Sequence, residues 1–587
     1  MKTHRILILV TFLLACTALT APSTAAEAPR RKDRGIGMPF HTMETAHFRI
    51  TYHGNLQGIA KEVGTILEEL YETYVGIYHL SLPGKTEVLV SNDDQNVNNW
   101  ALTILNTISI AANDMGYNLR GSKNYLRDAV AHEFAHIASI WTSFKLPAWM
   151  PYIQGGYFSH PNDFNAGIGA GVRTEAFHVY PAEILPPWFF EGITQYQSTQ
   201  MGGDAWDTHR DMIMRTLTLS NRLLSWDHMS VFAGKGDDFE KTYNHGFSMM
   251  RYIAATYGYE KVPAMLREST KFFRVNFDRS VRAVLGVSGR QLYADWKKTL
   301  EVRYKRQLDS LGTQVYGRKL NKDGFDNYWP RFSPNGSKLY FLSNGKNDYA
   351  WSLMGLYSYS LVDTVKEDKR IRKEPLGVGD FYSIHRQSGR IVYSSMKSPK
   401  SGVSFDQGGG RRRDLFIDTL PPDKPKFSLL PKKTERQVTE KRGLFAAAFS
   451  PSGDRIAAAW HNVDRFHLCL LDTAGANYRV VYPDTADTQN SIQTIYSVDW
   501  SPDGRSIAFS FVHRRGDRKI AIYDTLTKQT SLLCDTRFDE RDPRFTPDGK
   551  ALLFASDRTG IYNIYRYDFA TGGVDRLTNV AGGAFAP

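Results

Sequence analysis

One five-residue phrase returns through the second half of this 587-residue chain. Phe332-Ser333-Pro334-Asn335-Gly336 recurs as Phe449-Ser450-Pro451-Ser452-Gly453, Trp500-Ser501-Pro502-Asp503-Gly504 and Phe545-Thr546-Pro547-Asp548-Gly549, and a degraded copy, Gln387-Ser388-Gly389, falls between the first two. Proline fixes φ and glycine accepts positive φ, so each copy predicts a tight turn between two strands. An apolar strand follows each turn, such as Leu339-Tyr340-Phe341-Leu342, and most copies add a second strand ending in Asp, as in Ile520-Ala521-Ile522-Tyr523-Asp524. Spacings of about 45 to 65 residues are those of four-stranded propeller blades. The repeat constrains the architecture of this half and leaves its ligand open.

This grammar resembles the TolB-like β-propeller, over residues 320–587, and the resemblance implies six blades. Arg576-Leu577-Thr578-Asn579 opens a further repeat and the sequence stops at Pro587 before the next turn phrase. Two expectations follow: the sequence is a truncated piece of a longer polypeptide, or a terminal strand completes the first blade.

The other half obeys different rules. Phe48-Arg49-Ile50-Thr51-Tyr52 alternates as a strand does, and Ile59, Val63, Ile66, Leu67 and Leu70 fall at helical spacing over residues 56–78. Extended pieces follow at 87–90 and 104–112, then a helix over 124–140 and a mostly helical region over 191–308. Residues 141–187 are rich in Gly, Pro and aromatics and carry little periodicity. The expected fold is therefore multidomain: an α+β domain over 27–312, then the all-β propeller.

Residues 1–26 read as an export signal. Lys2, His4 and Arg5 precede the apolar run 6–14, small residues continue to Ala26, and cleavage is expected after Ala25 or Ala26. The rival is Leu13-Leu14-Ala15-Cys16, which resembles a bacterial lipoprotein box and implies a lipid anchor at Cys16. The expected location is the periplasm or cell envelope of a bacterium, with secretion as the alternative. The remaining cysteines, Cys469 and Cys534, sit in strand-like runs and read as small hydrophobes. A formal charge of +12, from 73 basic against 61 acidic residues, is mild at this length, and no basic stripe interleaved with aromatics argues for nucleic acid.

The chemistry is carried by His132-Glu133-Phe134-Ala135-His136. Spacing i to i+4 on a helix puts both imidazoles on one face, where a single Zn2+ can take both. Glu133 follows the first ligand, where a carboxylate can act as base towards water activated by the metal. A catalytic zinc needs a third protein ligand. Pro187-Trp188-Phe189-Phe190-Glu191-Gly192-Ile193-Thr194-Gln195-Tyr196 resembles the second zinc helix of gluzincin metallopeptidases, the peptidase MA-like group, over about residues 42–308. The resemblance implies Glu191 as third ligand. Tyr243-Asn244-His245-Gly246, read as lying just ahead of an amphipathic helix, is similar to the Tyr-x-x-Gly element of aminopeptidase-like gluzincins. That implies Tyr243 as oxyanion donor, with His245 in reserve. Residues 107–112 stand where the family has the edge strand that pairs with an extended substrate.

Departures narrow the reading. The Gly-x-Met-Glu-Asn element of gluzincin aminopeptidases is absent, so the expected activity is endopeptidase action on a peptide or protein substrate. Gln195 replaces the aspartate that orients a zinc histidine in thermolysin-like relatives. Ser139 and Thr142 stand where a metzincin needs Gly and His. Gly167-Ile168-Gly169-Ala170-Gly171 lacks the strand and glycine spacing of a dinucleotide loop, and no Gly-x-Ser-x-Gly elbow occurs. The alternative function is a propeller-based interaction module for an envelope partner, with a structural or inactive zinc domain.

Overall fold

The computed structural model describes most of residues 40–587. Residues 1–39, 92–98, 113–123, 145–152, 160–172, 180–184, 231–237, 346–353, 397–411, 422–433 and 484–491 lie outside the description, with some pieces of one to five residues. The export signal, Cys16 and the Gly167–Gly171 segment therefore fall outside it. Residues 39–400 and 410–587 form one compact unit; the other unit, Met1–Met38 with Ser401–Gly409, lies wholly outside the described residues.

The α+β domain is founded on a five-stranded sheet in the order β1-β2-β3-β5-β4. Its strands are β1 (Phe40–Glu44), β2 (Phe48–His53), β3 (Thr86–Ser91), β4 (Trp100–Leu102) and β5 (Thr107–Ala111). β2, β3 and β5 run parallel, and β1 and β4 are antiparallel to their neighbours. Strict alternation turns Thr86, Val88 and Val90 inwards on β3. Helix α1 (Gln57–Tyr78) packs its buried row Ala60, Val63, Leu67, Leu70 and Tyr74 into the same core. Each of the large apolar side chains in that row contributes about 1.5–3 kcal/mol by leaving water.

The expectation that residues 107–112 form the sheet edge is corrected. β5 is interior, between β3 and β4, with Ala101 opposite Ile108. The edge on that side is β4, followed by a short 3-10 turn. Past the reach of β4, the Ala111 backbone N–H donates to Asn99 Oδ1 at 2.9 Å, so a side chain continues the pairing.

Helices α2 (Tyr125–Ser143), α3 (Pro187–Gln200), α4 (Thr208–Leu219), α5 (Trp226–Met229), α6 (Asp238–Tyr257), α7 (Lys261–Ser269), α8 (Phe277–Leu285) and α9 (Gly289–Ser310) complete the domain. Tyr243 to Gly246 lie inside α6 and not ahead of a helix, which corrects that part of the reading. In the aperiodic stretch the backbone forms a hairpin, β6 (Ile153–Ser159) with β7 (Arg173–Val179).

The repeat half forms five four-stranded antiparallel blades among the described residues, over 327–373, 382–437, 444–482, 492–532 and 540–576. The resemblance implies six, and the described residues hold five. All four strands of the first blade come from 327–373, so no terminal strand completes it; Asn579 instead makes an isolated bridge to Val315. The turn phrase does what its chemistry requires. Gly336, Gly389, Gly453, Gly504 and Gly549 take φ from +66° to +72°. In the four full copies the Gly N–H closes the turn on the Ser333, Ser450, Ser501 or Thr546 carbonyl at 2.9–3.0 Å. The hydroxyl of that same residue accepts the N–H of the next strand's start, as in Ser506 N to Ser501 Oγ at 2.8 Å. Four of the innermost strands also carry a register shift beside a residue with positive φ: Trp329, Ala446, Ser497 and Asp542. Cys469 and Cys534 are free thiols, Cys469 buried.

Candidate metal centre

Helix α2 starts where the Asn124 side chain accepts the Arg127 N–H at 3.3 Å. Alanines at 129, 131, 135 and 138 let neighbours approach closely, and Phe134 fills the gap against Phe48 and Tyr74 at ring distances of 5.1 and 5.4 Å. The Tyr74 hydroxyl donates to the Ala131 carbonyl at 3.0 Å. Helix α2 is thereby sunk in the core, and His132, Glu133 and His136 are all buried.

Helix α3 begins on Pro187, whose missing N–H is no loss at a first helical position. Trp188 and Phe189 anchor it against Trp226 and Phe277. Two glycines set its approach to α6. A Cβ on Gly192 would lie 2.5 Å from the Gly246 carbonyl, and one on Gly246 would lie 2.2 Å from the Trp188 carbonyl oxygen. The glycines of the Glu-Gly and Tyr-x-x-Gly phrases therefore meet each other. Backbone contact between α3 and α6 is what brings Glu191 and Tyr243 to the same histidine.

The result is a triangle of donor atoms. His132 Nε2 and His136 Nε2 are 3.2 Å apart, and Glu191 Oε2 is 3.4 Å from each. A tetrahedral zinc with bonds of ~2.0–2.1 Å has ligand-to-ligand edges of ~3.3–3.4 Å, so the three atoms already stand at the separation such an ion requires. Among the described residues this is the group of His, Cys, Asp and Glu able to hold a metal. Burial drives the His132 imidazole down to about 4, so it is neutral at ordinary pH. Burial alone would favour a protonated Glu191, but the His136 and His132 imidazoles hold it at about 2, well below the usual carboxylate range. Glu191 Oε2 is buried and accepts no hydrogen bond. An ionised carboxylate facing two imidazole nitrogens suits a cation.

The surrounding shell comes from α3. Gln195 Nε2 lies 3.2 Å from His132 Nδ1, and Gln195 Oε1 is buried without a hydrogen bond. Turning that amide end for end presents Oε1 to an Nδ1–H, the tautomer that leaves Nε2 free for a metal. Two contributors were not read from the sequence. The Thr194 hydroxyl donates to the Glu191 carbonyl at 2.8 Å and stands 3.3 Å from His132 Nε2. The Ser198 hydroxyl donates to Asp128 Oδ1 at 2.6 Å and ties α3 to the turn of α2 before His132. Asp128 sits four residues before His132 on the same face, which is a legible signal; Thr194 and Ser198 carry none.

Tyr243 is half-buried, its ring 6.4 Å from the His132 ring and inclined by 27°. The reserve donor fails. His245 is fully buried, donates Nδ1–H to the Lys241 carbonyl at 2.6 Å and accepts the Leu224 N–H on Nε2 at 3.1 Å. Its nitrogens hold backbone together.

No family model matches the chain. A 53-residue stretch, 9% of the chain, is 49% identical to the Tol-Pal system protein TolB of Nitrosospira multiformis, and the match spans 12% of that relative's length. Among solved structures, one assigned to TolB of Agrobacterium tumefaciens aligns with 44% of this chain and 83% of its own at 19% identity and TM-score 0.33. TolB of Acinetobacter baumannii aligns with 43% and 56% at 21% identity and TM-score 0.24. A puromycin-hydrolyzing peptidase of Mycobacterium tuberculosis aligns with 45% and 39% at 14% identity and TM-score 0.29. At such TM-scores these likenesses carry no argument. The five sheets define the propeller, and the local match agrees with its TolB-like character.

Proposed function

We propose that this chain is an exported zinc-dependent hydrolase of peptide bonds, acting as an endopeptidase. The observation that carries the reading is the His132, His136 and Glu191 triangle with edges of 3.2–3.4 Å. A zinc ion held by these three side chains supplies Lewis acidity to a substrate carbonyl and to water. Glu133, next to His132 on α2, takes the proton of the attacking water and returns it to the leaving amine. The Tyr243 phenol donates a hydrogen bond to the oxyanion that forms. The edge strand β4, with Trp100 and Leu102 exposed, offers an extended substrate a strand to pair with, in place of the interior β5. The propeller docks partners or restricts access to the site. The basic, apolar and small-residue order of positions 1–26 supports export to the periplasm or envelope, and no described helix is long and apolar enough to cross a membrane.

A second reading rests on a different observation. The 49% identity over 53 residues to a Tol-Pal system protein favours an envelope interaction module whose metal domain is structural. Glu133→Gln separates the two. Under the hydrolase reading the variant keeps its zinc and loses peptide cleavage by about a hundred- to ten-thousand-fold. Native protein that binds zinc yet cuts nothing in a broad peptide library contradicts the hydrolase and leaves the module.

A further inference from the structure

The five-stranded sheet has two faces of opposite character. Strands β3 and β5 turn Val88, Val90, Ile108 and Ile110 inwards, all buried, and on the edge strand β4 the inward residue is Ala101, opposite Ile108. The outer face begins polar. One row crosses it from Glu44 through Arg49, Glu87 and Thr107 to Leu102. Arg49 bridges Glu44 at 2.9 Å and Glu87 at 2.5 Å, and Lys85 reaches Glu44 at 2.8 Å, so the charges at that end of the row are paired. The next row runs from Thr42 through Thr51, Leu89 and Ser109 to Trp100. Both rows therefore end, at the edge, on a large apolar side chain. Leu102 and Trp100 are each 41% exposed.

Protein sheets blunt an open edge with charge, proline or a very short strand. β4, Trp100-Ala101-Leu102, is short but carries neither charge nor proline. Directly opposite side chains are the unit of stabilisation between strands, and aromatic and aliphatic residues gain from an apolar neighbour there. A further strand laid on β4 would supply such a neighbour twice, opposite Leu102 and opposite Trp100. The residue between them would turn inwards over Ala101, whose small side chain leaves room on the side where α2 packs. The edge is also fixed beside the metal centre. β4 and the 3-10 turn after it pack against α2, the helix of His132 and His136. Asn99 Oδ1, just before β4, accepts the Ala111 N–H at 2.9 Å and the hydroxyl of Tyr125, the first residue of α2, at 3.3 Å.

We propose that Trp100 and Leu102 select the substrate: an extended peptide whose side chains at two alternate positions, opposite Leu102 and Trp100, are apolar, with the intervening one turned towards α2. Cleavage of that peptide rests on the hydrolase proposed above; its pairing with β4 does not.

The test uses the full chain as Glu133→Gln, loaded with zinc, and fluorescein-labelled heptapeptides read by anisotropy. One peptide carries Val at positions three and five among Ser and Thr; the other carries Ser at both. The Val peptide binds about five-fold or more tightly, and the advantage falls to about two-fold or less when Trp100→Ser and Leu102→Ser are added. Both side chains are exposed, so the added substitutions leave zinc content and Tm unchanged. N-methylation of alternate amides in the Val peptide removes binding in one register and spares it in the other, as pairing along one strand edge requires. Equal binding of the two peptides, binding of neither, an advantage that survives the substitutions, or equal tolerance of both N-methyl registers overturns the proposal. Native protein incubated with both peptides is then read by mass spectrometry. Cutting without preference for the Val peptide overturns the selection and leaves the hydrolase. A Val preference in binding without cutting overturns the hydrolase and leaves the peptide-pairing edge.

Discussion

In each full-copy blade the turn joining the first two strands is closed by atoms no more than five residues apart, as in Ser506 N–H to Ser501 Oγ. The metal triangle joins atoms from positions 132, 136 and 191, and it depends on a contact at position 246. One region is specified locally and repeatedly; the other is specified once, across three helices. A blade turn can be altered at the expense of that turn. Alteration of the α3–α6 contact reaches the chemistry.

The sharpest way to break this comparison is Gly246→Ala. Its Cβ would meet the Trp188 carbonyl at 2.2 Å, a backbone atom that cannot rotate away, so α3 and α6 must separate. We expect a loss of about 3 kcal/mol or more by chemical denaturation, together with weakened zinc binding. A variant with native stability and native zinc affinity removes the claim that this crossing builds the site.

A smaller effect is expected at the junction between the regions. Asp207 caps α4 through the Arg210 N–H at 2.9 Å, and Thr208 donates to Asp557 of the fifth blade at 2.6 Å. Burial raises the Asp207 carboxyl from its ordinary 3.8 to about 6, against the opposing pull of Arg210. The folded state thus holds a proton between about 3.8 and 6 that the unfolded chain has lost. Its penalty is greatest above pH 6 and fades as pH falls towards 3.8. Asp207→Asn keeps a capping side chain without the charge. The variant is expected to gain about 1–2 kcal/mol over native at pH 8 and little at pH 4, read as Tm differences. A difference independent of pH contradicts the assignment.

The smallest effect belongs to the repeat. Ser501→Ala removes the acceptor for Ser506 N–H and is expected to cost about 1 kcal/mol. Ser450→Ala, at the equivalent turn, should cost the same within a few tenths, and neither should change zinc content.

The comparison also explains what was legible. The turn phrase revealed the blades because its Pro, Gly and Ser act within the same few residues that spell it. Blade number was not legible, since closure depends on contacts between repeats, and five were found among the described residues where six were expected. On the metal side, His132 and His136 could be read from helical spacing, and Glu191 from the resemblance of its own helix. The edge strand was misplaced because β4 is only three residues long and leaves almost no periodic trace. His245 drew attention near Tyr243, yet two residues on a helix make a rotation of about 200°, enough to send it to Lys241 and Leu224.

The central claim is most directly tested by elemental analysis of the purified full chain, native and Glu191→Ala, after incubation with zinc and removal of excess. The account predicts about one zinc per native chain and a small fraction of that in the variant. A native chain without zinc, or a variant that retains as much as native, would contradict it.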